Sequence, residues 1–204
     1  MIYLYGAGGH AKVIAEILEA CQLPISGFIS DFSDKESLLS YPMHKATYDL
    51  LIDQNTKIII SIGSNSVRKK LALSLNANFA VAIHPSANIS RSCAMGDGTV
   101  VMAGVSISSS VTIGKHSIIN TNSSIDHDCI LSDFVHISPN VALGGSVTVG
   151  EGTHLGIGSC VIQGIKIGNW ATIGAGAVII NDVPDHAVVV GNPGKIIKYN
   201  NDNG

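Results

Sequence analysis

The residues of this chain best suited to chemistry are its histidines, and several of them stand in informative company. His127 is followed at once by Asp128 in the run Ile125-Asp126-His127-Asp128-Cys129. An imidazole titrates near neutrality and can accept a proton from an attacking nucleophile. An adjacent carboxylate can hold its tautomer and stabilise the imidazolium. His136 and His154 each stand directly before an aliphatic residue, Ile137 and Leu155. His10 follows Gly6-Ala7-Gly8-Gly9, a glycine turn between a short apolar run and a helical pattern. Such a turn lets backbone approach a phosphate at a helix N-terminus. Ala11 takes the place of the third glycine in the dinucleotide pattern and no clear ribose-binding acid follows, which disfavours a nicotinamide cofactor. On residue type alone, His127 reads first as a solvated surface histidine, and Asp31 equally as a turn residue. The elements that carry them have to decide.

The dominant element is written in a beat of six. Aliphatic residues recur at every sixth position from Ile83 to Ile179, 17 positions without a slip. This period fits neither a helix nor a long alternating strand. It fits a coil of short flat strands, with one aliphatic side chain per strand turned inward and equivalent positions stacked in ladders. Small or β-branched residues stand two places earlier, for example Ala87, Cys93, Thr99 and Cys129; Cys129 and Cys160 are read as packing residues in this second column. The glycines that follow many of the aliphatic residues, such as Gly96, Gly114 and Gly150, are expected to serve turns with φ > 0. Three hexads make one coil, and three hexads separate His136 from His154, so the two stack on one face. His127, two places after inward Ile125, lies on the outer surface. The run Ala187–Val190 and the segment Gly191-Asn192-Pro193-Gly194-Lys195-Ile196 are expected to close the last coil.

Residues 1–81 are written differently. Apolar runs at 2–5, 25–30 and 57–62 read as strands. His10–Ala20, with Val13, Ile14, Ile17 and Leu18, and Ser66–Leu75, with Val67, Leu71 and Leu75, read as helices. Their order predicts a small Rossmann-like α/β domain with a parallel sheet, followed by the repeat domain over 82–204. The composition agrees with a folded protein: 46% apolar residues, 22 irregularly spaced glycines and four cysteines without a CxxC pair. A net charge of -3 without a basic run gives no general field for nucleic acid or an anionic membrane. No apolar stretch approaches the roughly 18–20 residues of a membrane span, and no signal segment is expected at Met1. Reduced cysteines in a cytoplasmic protein are the simplest reading.

Three groups of residues together carry a resemblance: Gly6-Ala7-Gly8-Gly9-His10-Ala11-Lys12-Val13, the Asp126-His127-Asp128 and Phe134-Val135-His136-Ile137-Ser138-Pro139 runs, and Gly191-Asn192-Pro193-Gly194-Lys195. Over essentially the whole chain it resembles the hexapeptide-repeat nucleotide-sugar and sialic acid acetyltransferases. The resemblance implies a left-handed parallel β-helix of triangular section and a homotrimer, with acetyl-CoA in the groove between neighbouring subunits and no metal. It implies His127 as general base, Asp128 as its orienting carboxylate, His136 as a second active-site histidine and the Gly145 N–H as donor to the thioester carbonyl. It also implies that Gly8, Gly9 and His10 face a nucleotide-linked amino sugar, with Asp31 near the base or ribose. His154, Gly156 and Gly174 would line the acetyl-CoA groove, though turn geometry accounts for the glycines as well. Lys166 and Lys195 are weaker candidates for a CoA phosphate.

The expected reaction is direct N-acetylation of the amino sugar without an acyl-enzyme. Acetyl transfer needs a base near neutrality, and one well-aimed N–H donor to the oxyanion is worth about 3 kcal/mol. Two rivals stand beside it: sugar O-acetylation, including that of sialic acid, and a non-catalytic β-helix serving binding or assembly. A different acyl donor, succinyl or formyl, is compatible with the same periodicity.

Overall fold

A computed structural model of the protein describes residues 1–31, 35–46 and 55–200. Its N-terminal unit runs β1 (Ile2–Tyr5), α1 (Gly9–Ala20), β2 (Ile25–Ile29), β3 (Ser37–Leu38), β4 (Tyr41–His44), β5 (Lys57–Ile60), α2 (Asn65–Ser74) and β6 (Asn78–Phe79). The sheet order is β3-β4-β2-β1-β5-β6, parallel except for the β3–β4 hairpin. The three strands and two helices read from the sequence are present. The structure adds β3, β4 and β6, which the sequence does not signal because two to four residues at a sheet edge carry too little apolar pattern to show a period. The helical faces are rotated from the expected ones. Ile14, Ile17 and Leu18 are buried with Ala11 and Ala15, but Val13 is 39% exposed. In α2, Val67 is 44% exposed and Arg68, its charged neighbour, is 1% exposed.

From Ala82–Ile83 to Val178–Ile179 the chain forms a β-solenoid, with a two-residue strand every six residues. Each strand pairs in parallel with the one three hexads on, as in Ile118↔His136 and His136↔His154, so three sheets wall a triangular coil. The second residue of each strand is the aliphatic member of the six-residue beat. From Val101 to Ile179 these residues form one continuous core with the small residues two places before them. Each fully buried Val, Leu or Ile contributes roughly 1.5–3 kcal/mol of transfer free energy. At the first coil the ladder is open: Ile83 is 39% exposed and Ile89 and Met95 are only partly covered, since no coil lies beneath them.

Two expectations about the coil need correction. Positive φ does not fall on the glycines after the aliphatic residues. It falls two places later, on every sixth residue from Gly98 to Gly176, whether glycine, Ser110, Asp128, Phe134 or Trp170. The earlier glycines are there because coils stack closely: a Cβ at Gly150 would stand 2.5 Å from the Asn169 nitrogen. Cys129 is buried in the small-residue column, but Cys160 is not part of that column. Ser159 holds that place, and Cys160 is the outward, exposed residue of its strand.

The two units share an apolar seam. On the first face of the solenoid, the outward positions Ala82, Val100 and Ile118 are buried under Ala11, Ile14, Ile17 and Leu18 of α1. The same column continues as His136, His154 and Thr172 where α1 no longer covers it. At the adjoining corner Phe79 meets His116 edge-on at 4.5 Å, and His116 stacks on Phe134 at 5.3 Å. At the far end Ala187–Val190 pairs with Thr172–Ile173 and then with Lys195–Tyr199 as a hairpin. A Cβ at Gly194 would meet Ile179 at 2.8 Å, so this turn sits against the last coil as expected. Among the described residues no helix is long and apolar enough to cross a membrane.

Candidate active site

His127 and Asp128 occupy the corner between the strands Ser124–Ile125 and Ile130–Leu131. Asp128 takes the left-handed conformation there, φ 60°, which Asp tolerates better than most residues. The turn folds its carboxylate back on the preceding side chain, and His127 Nδ1 lies 2.8 Å from Asp128 Oδ2. That bond, followed by the charge of Asp126, raises the His127 pKa above its ordinary value. One coil above lies Gly145. A Cβ there would fall 2.6 Å from His127 Cε1 and 2.7 Å from Nε2, so only glycine lets the imidazole lie against this backbone. The Gly145 carbonyl accepts from Gly164 N at 2.9 Å, while its N–H has no acceptor among the described residues. The pair is open to solvent in the single chain, with side chains 54% and 58% exposed. Its chemical capacity is proton acceptance at Nε2, with the carboxylate holding Nδ1.

His136 and His154 lie elsewhere, on the first face, with rings stacked at 4.7 Å and 17°. His136 is half-buried and its pKa is pushed down to about 3, chiefly by desolvation, then by His154, Arg68 and His10. His154 is lowered in the same way by desolvation and Arg68, and its Nε2 lies 2.8 Å from Ser138 Oγ. His10, in the first turn of α1, has Nε2 buried without a partner among the described residues, and its pKa falls to about 4 from desolvation and Arg68. His136 and His154 border a cleft of about 410 Å³, closed by the loop Gly63–Ser66, Trp170 and Asn200. The structure thus brings His10, His136 and His154 together but leaves His127, Asp128 and Gly145 on a different corner of the same chain.

The remaining candidates are scattered around these two places. Gly8 and Gly9 are exposed, with nothing within 4 Å of where a Cβ would stand, so no protein contact dictates glycine there. Asp31 lies two residues beyond the end of β2. Its carboxylate accepts from Tyr5 Oη and from Ala46 N, each at 3.0 Å, which gives it a structural task. At Gly156 a Cβ would meet Ala175 N at 2.7 Å, and at Gly174 the Val190 side chain at 2.8 Å; coil stacking explains both. Lys166 and Lys195 stand exposed on outward strand positions. No group of three or more His, Cys, Asp or Glu among the described residues could hold a metal ion.

Sequence reasoning passed over Asn120, Arg68 and Trp170, and gave Ser138 no role of its own. Asn120 Nδ2 lies 3.4 Å from His136 Nε2, and Ser138 reaches His154. Both belong to a column that advances one coil per step and continues through Gly156 to Gly174, so the periodicity would have found them had outward columns been read like inward ones. Arg68 carries no such signal, because a basic residue on a short helix ordinarily faces water.

Residues 1–75 match the family model described as the PglD N-terminal domain. The chain is 39% identical over 110 residues to the UDP-N-acetylbacillosamine N-acetyltransferase of Bacillus subtilis (strain 168), a match spanning 50% of this chain and 51% of that protein. Among solved structures it resembles a histidine variant of perosamine N-acetyltransferase from Caulobacter crescentus in complex with CoA and GDP-perosamine, with 37% identity and a TM-score of 0.92 over 97% of this chain and 96% of that one. It also resembles the acetyltransferase domain of PglB from Neisseria gonorrhoeae FA1090 in complex with acetyl coenzyme A, at 36% identity and TM-score 0.90 over 96% and 98% of the two chains. A repeat domain and an N-terminal unit matched together over almost their full length, at this identity, place the chain in the hexapeptide-repeat nucleotide-sugar acetyltransferase family.

Proposed function

We propose that the protein transfers the acetyl group of acetyl-CoA to the amino group of a nucleotide-linked amino sugar. The observation that carries this reading is the hydrogen-bonded His127–Asp128 pair, lying on Gly145 at an open corner. Its likeness to enzymes solved with CoA and GDP-perosamine supports the choice of substrates. In the reaction the amine nitrogen attacks the thioester carbonyl carbon and the C–N bond forms. His127 Nε2 takes the proton that the nitrogen sheds. The carbonyl oxygen, negative in the tetrahedral intermediate, accepts from the Gly145 N–H. The C–S bond then breaks, and the proton held by His127 leaves with CoA as the thiol. Asp128 keeps Nδ1 protonated throughout. No acyl-enzyme forms.

The split between the two histidine sites supports a shared site. His127 lies on a corner and His136 on a separate face of one chain, so a homotrimer in which each groove joins one chain's His127 corner to its neighbour's His136 face would complete the machinery. Residues 1–81 then present the sugar nucleotide through Gly8, Gly9, His10 and Asp31, with the acceptor held in the cleft beside His136. Residues 82–204 hold acetyl-CoA along His154, Gly156 and Gly174. A cytoplasmic site of action fits the four free cysteines. Release of CoA thiol from acetyl-CoA, measured with UDP-, GDP- and dTDP-linked amino sugars and with free sialic acid, tests the reading. It predicts turnover with at least one nucleotide-linked amino sugar. Turnover with sialic acid alone would replace it with O-acetylation, and none with any acceptor would overturn it.

A further inference from the structure

Arg68 is the most deeply buried charged residue of the described chain, 1% exposed, and it faces no carboxylate. Its guanidinium spends its donors on neutral oxygens. Nε donates to His116 O at 2.7 Å, Nη1 to Ile62 O at 3.0 Å and Gly63 O at 3.2 Å, and Nη2 to Asn65 Oδ1 at 2.7 Å and Phe134 O at 3.1 Å. His116 and Phe134 are left-handed corner residues of successive coils. The next corner carbonyl, Gly152 O, accepts from Asn65 Nδ2 at 2.9 Å. Arg68 and Asn65 therefore cap a ladder of corner carbonyls and fasten the loop 62–65 to the solenoid wall. That same loop rims the cleft that contains His136 and His154.

Burying a cation without a counter-charge is costly, so a fold that retains one uses the charge or the geometry. We propose that Arg68 is a positioning residue for the transfer reaction, locking the 62–65 loop over the His136 face and setting a fixed positive charge behind it. The inference rests on the transferase reading above. The groups around this charge are few. His10 faces the cluster from α1, and His116, His136 and His154 face it from the solenoid. Asp133, Asp97 and Lys115 act on His116 alone among these histidines, and Glu151 is engaged with Lys69. Burial is the first cause that disfavours the charged form of these imidazoles, and a fixed cation there disfavours it further, so they hydrogen-bond as neutral rings. The influence of Arg68 does not reach His127, whose pKa answers to the hydrogen bond with Asp128 and then to the charge of Asp126.

The test separates charge from fork geometry. Arg68→Gln removes the charge, and Arg68→Lys keeps it but loses the planar set of donors. Histidine ring signals followed by NMR across pH report the first property without any turnover. In Arg68→Gln the midpoints of His10 and His136 should rise by about one pH unit while His127 stays put. In Arg68→Lys those midpoints should remain low, and KM for the nucleotide sugar should rise about tenfold with kcat within about twofold of wild type. Unchanged His10 and His136 midpoints in Arg68→Gln would overturn the electrostatic role. A wild-type KM in Arg68→Lys would overturn the positioning role, and it decides the matter if Arg68→Gln does not fold. Absence of turnover in the unmodified protein would instead condemn the transferase reading, leaving the titration to judge the charge.

Discussion

At the scale of single residues, the chain holds histidines pushed in opposite directions. Asp128 and Asp126 raise His127, while burial and Arg68 lower His10 and His136. A base must be neutral to act, so kcat/KM should fall on the acid side with a midpoint above the ordinary histidine value. Asp128→Asn should move that limb to lower pH, because an amide cannot stabilise the imidazolium. A limb that stays in place would detach Asp128 from the base. His127→Ala should lower kcat by about 10²–10⁴-fold with little change in folding, since the side chain is exposed. Gly145→Ala should act through His127: the new methyl displaces the ring, and kcat falls while KM for acetyl-CoA changes less. The pairing of His127 with Asp128 was legible from their adjacency. Arg68 was not, since nothing in a helix sequence says that its long side chain will turn inward onto backbone carbonyls. Cys160 was misplaced by one residue, and in a two-residue strand one residue is the difference between core and surface.

At the scale of elements, the six-residue beat was legible because one aliphatic side chain per strand must point inward, and a single slip would expose every later one. The role of the glycines was misread because two different demands, left-handed φ and close coil stacking, both select glycine. Only the structure shows that they fall at different places in the hexad. The outward columns carry information too. Ala82, Val100 and Ile118 give way to His136 and His154 where the cover of α1 ends, so the edge of the N-terminal unit is written in the repeat itself. Ile118→Asp should therefore unseat α1, with a carboxylate buried among Ile14, Ile17 and Leu18. A loss of several kcal/mol is expected in denaturant unfolding, against less than about 0.5 kcal/mol for Ser124→Asp at an exposed outward position. Equal effects at the two sites would mean that the seam is not part of the fold's stability.

At the scale of the whole molecule, the buried neutral histidines make stability depend on pH. His10 and His116 stand at about 4 and His136 at about 3 when folded, against about 6.5 when unfolded. Below 6.5 the unfolded chain binds protons that the folded one refuses, so stability is fullest above that pH and declines toward 4. Tm should be level from about pH 8 to 7 and fall between about 6.5 and 5, before most carboxylates titrate. His116→Phe, placed between Phe79 and Phe134, should flatten that slope. A Tm independent of pH in this window would contradict the buried neutral assignment.

The same scale holds the central claim, that the transferring site joins His127 of one chain to His136 of another. His127→Ala and His136→Ala, each nearly inactive alone, are to be unfolded together, refolded as mixed oligomers and assayed for CoA release. If grooves are shared, random mixing gives a competent pair at about one groove in four, and about a quarter of wild-type activity returns. Mixed oligomers that form and yet regain no activity would contradict the shared site.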